Sequence, residues 1–156
     1  MKISAGLLLT AALCGCAAVP DDRAAAPGTG VLLPGIQYQV LRSGSAGGAH
    51  PTRADAVDVR YVGRLTNGQV FSTSADNGTG TSSFDVQRVI PGFMAAIQLM
   101  RPGDLWRVTL PSYLAYGVPG RRYSPPEATL KRDIPPDSIL IFDVELVTIK
   151  PAARSN

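Results

Sequence analysis

Residues 89–103 read VIPGFMAAIQLMRPG, and this stretch decides the fold. Its apolar side chains recur at the three- and four-residue spacing of one helical face. They are Phe93, Ala96, Ile97 and Met100. Pro91 and Gly92 precede this run, and Pro102 with Gly103 ends it, since both residue types interrupt helices. The stretch therefore predicts one short α-helix with a single buried face.

The segments on both sides of this helix alternate between apolar and polar residues, which is typical of strands with one buried face. Val57, Val59 and Tyr61 share one face, and the charged residues between them share the other. The pair Asn67–Gly68 predicts a hairpin after this strand. Strands are predicted at residues 36–41, 57–64, 69–72, 84–86, 104–110 and 139–149. Together these elements predict an α+β fold, an antiparallel sheet curled around one short helix.

The amino-terminal residues resemble a bacterial lipoprotein signal. An apolar run at residues 7–13 follows Lys2 and is far shorter than the roughly 20 residues that span a bilayer. The sequence Leu-Cys-Gly-Cys at residues 13–16 is similar to a lipobox, which makes Cys16 the expected lipidation site and membrane anchor. A plain transmembrane anchor is the alternative. The predicted organisation is a signal peptide at 1–15, a flexible tether at 16–34, a folded domain at 35–150 and a tail at 151–156.

Composition excludes several classes of function. Both cysteines lie within residues 13–16, the lipobox-like sequence, so no disulfide is expected in the folded part. A formal charge of +3, spread along the chain, does not predict nucleic-acid binding. Four basic residues do cluster in one late loop, namely Arg121, Arg122, Lys131 and Arg132. This cluster is either a solvated loop or a contact for anionic headgroups or an acidic client.

Residues that support acid–base, nucleophilic or metal chemistry are scarce. His50 is the single histidine, and no Cys, Asp or Glu cluster stands around it at metal-ligand spacing, so no metal or cofactor is expected. Nucleophile-elbow and phosphate-loop patterns are missing from the sequence. An apolar aromatic pocket remains, and rotation about an X–Pro amide is a reaction for which such a pocket suffices. The planar amide is more polar than the twisted one, so an apolar enclosure favours the twisted state.

The motifs of residues 57–147 resemble those of the FKBP-type peptidyl-prolyl isomerases, and more narrowly the macrophage infectivity potentiator branch. The matching residues are Tyr61 and Gly63, Phe71, Phe84, residues 89–93, Leu99 and Met100, residues 114–117, residues 134–136 and residues 140–144. The resemblance implies a proline pocket with the catalytic residues Tyr61, Phe71, Phe93, Tyr116 and Phe142. It implies substrate contacts from Ser72, Phe84, Val89, Ile90 and Ile134. The Ile90 amide and the Tyr116 hydroxyl would bond the substrate carbonyls.

Three features depart from the family pattern. Ser72 stands where the family usually has an aspartate that organises the pocket, and Phe93 stands where it most often has tryptophan. The loop at residues 118–133 is also longer than usual and borders the expected pocket. These departures leave open how efficiently the chain would catalyse and which substrates it would prefer.

The expected function is a lipid-anchored bacterial isomerase that accelerates X–Pro isomerisation in exported proteins. One alternative is a proline-peptide binding or chaperone module with weak catalysis, and another is an envelope assembly lipoprotein with a vestigial pocket. The resemblance also implies macrolide inhibitor binding. Dimerisation in the infectivity potentiator branch uses a helical segment not recognised here, so a monomer is expected. Ala17 after the lipidated cysteine points to the outer membrane, with the domain in the periplasm or at the cell surface.

Overall fold

The computed structural model describes residues 28–32, 35–127 and 130–152. The predicted signal peptide and Cys16 lie outside these residues. The described part contains seven strands and one α-helix. They are β1 (Thr29–Leu32), β2 (Ile36–Arg42), β3 (Ala56–Leu65), β4 (Val70–Thr73), β5 (Ser82–Asp85), α1 (Pro91–Ile97), β6 (Leu105–Leu110) and β7 (Leu140–Lys150). Short 3₁₀ helices occupy Ser74–Asn77, Val86–Arg88 and Ser112–Leu114.

The strands form one antiparallel sheet in the order β1-β2-β6-β7-β3-β4, with β5 paired to the first part of β3. The longest pairing joins β3 to β7, from Ala56 opposite Lys150 to Leu65 opposite Leu140. Alternate residues of both strands are buried, as the period of two predicted. The α+β prediction, with an antiparallel sheet and a short helix, is confirmed.

Helix α1 packs its apolar face into the core. Pro91 occupies the first turn, where its fixed φ favours the helix and its missing N–H costs no bond. Phe93, Ala96 and Ile97 are buried. The helix ends at Ile97, three residues before the predicted end, because the amides of Leu99 and Met100 bond carbonyls only three residues back. Within the described residues, no helix has the length and apolar character needed to cross a bilayer.

Strand β1 corrects the predicted boundary between tether and domain. Residues 29–32 fall within the predicted tether, but they pair with β2 from Thr29 opposite Gln39 to Leu32 opposite Ile36. Gly30 makes this pairing feasible, since a Cβ there would clash with the Tyr38 ring and its hydroxyl oxygen. A four-residue strand among glycine and proline carries too little alternation to be recognised in sequence. The tether prediction is therefore wrong for residues 29–32.

Candidate functional site

A cavity of about 280 Å³ opens beside helix α1. Its lining comprises Tyr61, Phe71, Ser72, Phe84, Arg88, Val89, Ile90, Phe93, Tyr116, Arg121, Tyr123, Lys131 and Phe142. Its volume lies just below the range of about 300–1,000 Å³ usual for pockets that hold drug-sized ligands. The cavity is thus suited to a single side chain, such as a proline ring, together with part of the adjoining backbone.

The fold explains how distant parts of the sequence meet at this cavity. Tyr61 projects from β3, Phe71 from β4 and Phe142 from β7, each at a buried position of its strand. Phe93 comes from the buried face of α1. Because β7, β3 and β4 are neighbours in the sheet, their inward side chains form one continuous apolar wall, and the helix supplies the other side.

The aromatic rings of the wall contact one another at the separations typical of edge-to-face and tilted pairs. The Phe142 centroid lies 5.2 Å from that of Phe93 and 5.6 Å from that of Phe71. Phe84 lies 5.7 Å from Tyr61 and 6.3 Å from Phe93. The rings therefore support each other around the cavity and leave its interior open.

Tyr61 and Ser72 form a neutral hydrogen-bonded pair in the cavity wall. Their hydroxyl oxygens are 2.7 Å apart, and either can donate. The backbone N–H of Tyr61 donates to Ser74 Oγ at 3.0 Å, which fixes the strand beside the ring. Burial raises the pKa of Tyr61 above its ordinary value of 10.0. At neutral pH the Tyr61 hydroxyl is thus protonated, and Ser72 is its partner where the family resemblance predicts an aspartate.

Gly63 on β3 leaves room for two rings of the wall. A Cβ at this position would lie 2.6 Å from Phe71 Cζ and 3.0 Å from Phe142 Cε1. Any larger residue would therefore push these rings toward the cavity. Tyr61 thus supplies one ring of the wall, and Gly63, two residues later on the same strand, leaves the space that the rings of Phe71 and Phe142 occupy.

Four cavity residues were not predicted from the sequence, namely Arg88, Arg121, Tyr123 and Lys131. Three of them lie in the long basic loop at 118–133, and the length and charge of this loop were the only features of the sequence that could have pointed to them. Ile134, predicted to line the pocket, does not do so. It is buried in the hydrophobic core and pairs its backbone with Arg121, so it anchors the loop instead.

His50 lies away from the cavity lining. Its Nδ1 is 3.1 Å from the Met100 carbonyl oxygen, and Arg101 Nε donates to its Nε2 at 3.1 Å. These contacts tie the loop of His50 to the segment that follows α1. Across residues 28–32, 35–127 and 130–152, no three His, Cys, Asp or Glu side chains cluster as metal ligands would. The chemistry of the cavity therefore has to be derived from aromatic rings, hydroxyls and cations.

Comparison with known proteins agrees with this architecture. Residues 47–147 match the family model described as FKBP-type peptidyl-prolyl cis-trans isomerase, so the chain belongs to this family. It is 39% identical to the outer membrane protein MIP of Legionella longbeachae, over 81% of this chain and 49% of that protein.

Two solved structures share the fold. The crystal structure of FkpA from Escherichia coli has a TM-score of 0.70 and 35% identity, covering 83% of this chain and 55% of that one. A peptidyl-prolyl cis-trans isomerase from Pseudomonas syringae pv. tomato has a TM-score of 0.65 and 35% identity, covering 81% and 84%. The chain spans about half the length of the curated relatives it matches.

Proposed function

We propose that this chain is a peptidyl-prolyl cis-trans isomerase acting on proline-containing segments of exported polypeptides. One observation carries the proposal: five aromatic side chains from β3, β4, β5, α1 and β7 surround a single open cavity. The site roles predicted for Tyr61, Phe71, Phe93, Tyr116 and Phe142 are part of this proposal. So are the substrate contacts predicted for Ser72, Phe84, Val89 and Ile90.

The mechanism follows from the polarity of the amide bond. Rotation about an X–Pro bond faces a barrier of about 18–20 kcal/mol, because the planar form is stabilised by resonance. Water solvates this dipolar form better than the twisted one. An enclosure of Phe71, Phe93 and Phe142 withholds that solvation, so it favours the transition state over the ground state. A rate gain of about 10⁵ needs roughly 7 kcal/mol, shared among desolvation, hydrogen bonds and a fixed peptide conformation.

A protease-coupled assay tests the proposal on a short peptide with Ala, Leu or Phe before proline. Uncatalysed isomerisation takes on the order of 10–100 s, slow enough to limit the folding of exported proteins. We expect the full chain at micromolar concentration to shorten this phase in proportion to its concentration. A rate equal to that of the buffer blank removes the enzymatic proposal.

A second candidate function is proline-peptide binding with weak turnover, and Ser72 is the observation that favours it. A neutral hydroxyl, 2.7 Å from the Tyr61 hydroxyl, stands where the family resemblance predicts a carboxylate. The variant Ser72→Asp separates the two candidates. If it raises isomerase activity greatly while peptide affinity changes little, the natural site serves mainly in binding. If activity is already high and the variant does not raise it, catalysis is the natural function.

We further propose that the chain is anchored in the cell envelope through Cys16. The lipobox-like residues 13–16 support this, and so does the name of the Legionella longbeachae relative, an outer membrane protein. Stable anchoring requires more than one acyl chain, which a bacterial lipoprotein amino terminus supplies. Metabolic labelling with palmitate should mark the wild type and the matched control Cys14→Ala, and should fail for Cys16→Ala. Equal labelling of both variants contradicts the anchor.

A further inference from the structure

The charged side chains in the cavity lining are all positive among the described residues. Arg88, Arg121 and Lys131 line it, and among the described residues no carboxylate does. Asp85 pairs with Arg88 at 3.3 Å, and Glu127 lies 3.7 Å from Lys131, so these two cations are partly compensated at the surface. Arg121 forms no ion pair with a carboxylate in the part of the chain that the structure describes. The cavity therefore carries excess positive charge at its rim.

The ring of Tyr123 holds two of these cations together. Arg121 Cζ and Lys131 Nζ each lie 5.3 Å from its centroid, within the range of cation–π contacts. Burial, with a side-chain hydrogen bond to Tyr116, raises the pKa of Tyr123 above its ordinary value. The Tyr123 hydroxyl therefore stays neutral and adds no negative charge beside these two cations. Lys131 also lines an adjoining cleft of about 320 Å³ together with Glu127, so its side chain borders both hollows.

The other basic residues of the loop do not take part in this arrangement. Arg121, Arg122 and Arg132 are all exposed, but of these three only Arg121 lines the cavity. Two of the four residues of the basic cluster, Arg121 and Lys131, thus reach the cavity, where Arg88 from outside the cluster joins them. A flat membrane surface would meet the outer side of the loop, whereas Arg121 and Lys131 face a recess that shares its walls with Phe71 and Phe142.

We propose that this rim selects proline peptides that carry a glutamate or aspartate next to the proline. The inference rests on the proposed isomerase function and names its preferred substrate class. A residue adjacent to proline lies about 3.8 Å away from it along the chain, so a proline in the aromatic cavity brings its neighbour to the rim. There its carboxylate meets Arg121 and Lys131, and charge complementarity of this kind discriminates between otherwise similar partners.

The test compares isosteric peptides with and without the charge. Ala-Glu-Pro-Phe is compared with Ala-Gln-Pro-Phe, and Ala-Ala-Pro-Glu with Ala-Ala-Pro-Gln, using the purified full chain at low ionic strength. We expect a kcat/KM ratio of about five in favour of glutamate for at least one placement, as partly exposed ion pairs can give. The ratio should fall toward one in 0.5 M salt, where screening is strong.

Two variants of neighbouring arginines localise the effect. Arg121→Gln should bring the ratio close to one, and because the ratio compares two peptides on the same variant, a general change in turnover does not affect it. The matched control Arg122→Gln removes the same charge from the adjacent position outside the cavity and should leave the ratio unchanged. Lys131→Gln should reduce it partly. If both arginine variants lower the ratio equally, the preference is a diffuse charge effect and the proposed rim is overturned.

The remaining outcomes separate this inference from the proposed function. If the wild type turns over the glutamate and glutamine peptides equally, the proposed selection by the rim is overturned, and the proposed isomerase function still stands. If no peptide is turned over, the proposed isomerase function is rejected. The selection of acidic peptides by the rim is then tested by the fluorescence anisotropy of labelled peptides. Tighter binding of the glutamate peptide supports it, and equal binding overturns it. A third outcome is that the chain shows no peptide preference but binds phosphatidylglycerol vesicles better than phosphatidylcholine vesicles, and that Arg121→Gln abolishes this binding. That result assigns the cations to a membrane and overturns the proposed rim.

Discussion

Phe142 contacts three aromatic rings among the described residues of the cavity. Its centroid lies 5.2 Å from Phe93, 5.6 Å from Phe71 and 6.3 Å from Tyr61. Its side chain is buried, so its contacts belong both to the core and to the cavity wall. A change in the shape of this ring therefore alters its contacts with three other rings of the cavity wall.

Phe142→Leu should separate catalysis from stability. The leucine keeps much of the buried apolar area but loses the flat ring, so we expect kcat/KM to fall about tenfold or more. The free energy of unfolding should fall by about 1–2 kcal/mol. Leu146→Val is the control, since Leu146 is fully buried on the same strand and does not line the cavity. Urea denaturation and the protease-coupled assay compare them, and equal kcat/KM values contradict a role for the ring.

The hydrogen bond between Tyr61 and Ser72 can be measured by a double-mutant cycle. Both side chains are buried, so either Tyr61→Phe or Ser72→Ala leaves the remaining hydroxyl without this partner. We expect each single variant to lower the free energy of unfolding by about 1 kcal/mol, and the double variant to lower it by about as much as one of them. Additive losses in urea denaturation would show that the two hydroxyls do not depend on each other.

Strand β3 supplies both a wall residue and the space beside it. Tyr61 points into the cavity, and Gly63, on the same face, lies under the rings of Phe71 and Phe142. The strand also pairs with β4, β5 and β7, so it cannot shift without disturbing several ladders. A side chain at position 63 must therefore be accommodated by the rings and not by the backbone.

Gly63→Ala should accordingly damage both stability and activity. Its Cβ would overlap the two rings, and overpacking of this kind costs typically about 1–3 kcal/mol. We also expect a lower kcat/KM because the rings would move toward the cavity. Gly47→Ala is the matched control, since its Cβ would meet nothing within 4 Å, and its effect should stay within about 0.5 kcal/mol. Thermal unfolding of the two variants checks the difference, and a neutral Gly63→Ala contradicts the packing.

The strands and helix that carry the wall were predictable because their patterns are local. Val57, Val59 and Tyr61 alternate in sequence and are buried in the structure, and the same holds for Trp106, Val108 and Leu110. Strand β1 was missed because a short edge strand has little pattern of its own. Its position in the sheet depends on pairing with β2, and the spacing of apolar residues within one segment does not show which other segment it pairs with.

The outer face of the sheet is organised by two carboxylates of β7. Asp143 receives hydrogen bonds from Arg64 of β3 and Arg107 of β6, both at 2.6 Å, and Glu145 contacts Arg42 and Arg60. These pairs connect the three central strands and β2 across the face opposite the cavity. Hydrogen bonds and charge from Arg107, with those from Arg64, lower the pKa of Asp143 below its ordinary value of 3.8.

This lowered pKa predicts a dependence of stability on acidity. The folded protein holds Asp143 ionised more strongly than the unfolded chain does, so the contribution is complete above about pH 5 and is lost as pH falls through the lowered pKa. Asp143→Asn should destabilise by about 1 kcal/mol at pH 7, and the difference from wild type should shrink between pH 4 and pH 3.

The control for this prediction is Asp85→Asn, which removes a carboxylate that pairs with the exposed side chain of Arg88. It should change the free energy of unfolding by less than about 0.5 kcal/mol at pH 7. Urea titrations over this range measure both variants. A difference between Asp143→Asn and wild type that stays constant down to pH 3 contradicts the proposed ion-pair network.

Across the molecule, the apolar part of the site was more predictable than its charged part. Phe71, Phe93 and Phe142 could be named because they match family motifs at fixed spacing. Arg121, Tyr123 and Lys131 could not, since they lie in a long loop whose path is set by the pairing of Arg121 with Ile134. Which face of such a loop meets the cavity depends on tertiary contacts. Ile134 was assigned to the wall from the family resemblance, but it is buried in the core and does not line the cavity.

Exchange NMR on a neutral proline peptide tests most directly whether an aromatic enclosure catalyses rotation without an acid, base or metal. The measurement observes cis–trans exchange itself, in the presence of a chelator and at several pH values. No histidine or carboxylate of the described residues lines the cavity, and the raised pKa values of Tyr61 and Tyr123 keep both phenols protonated. We predict exchange that is accelerated by catalytic amounts of the full chain and constant between about pH 6 and pH 8.5. Exchange at the uncatalysed rate, or acceleration that titrates within this range, contradicts the account.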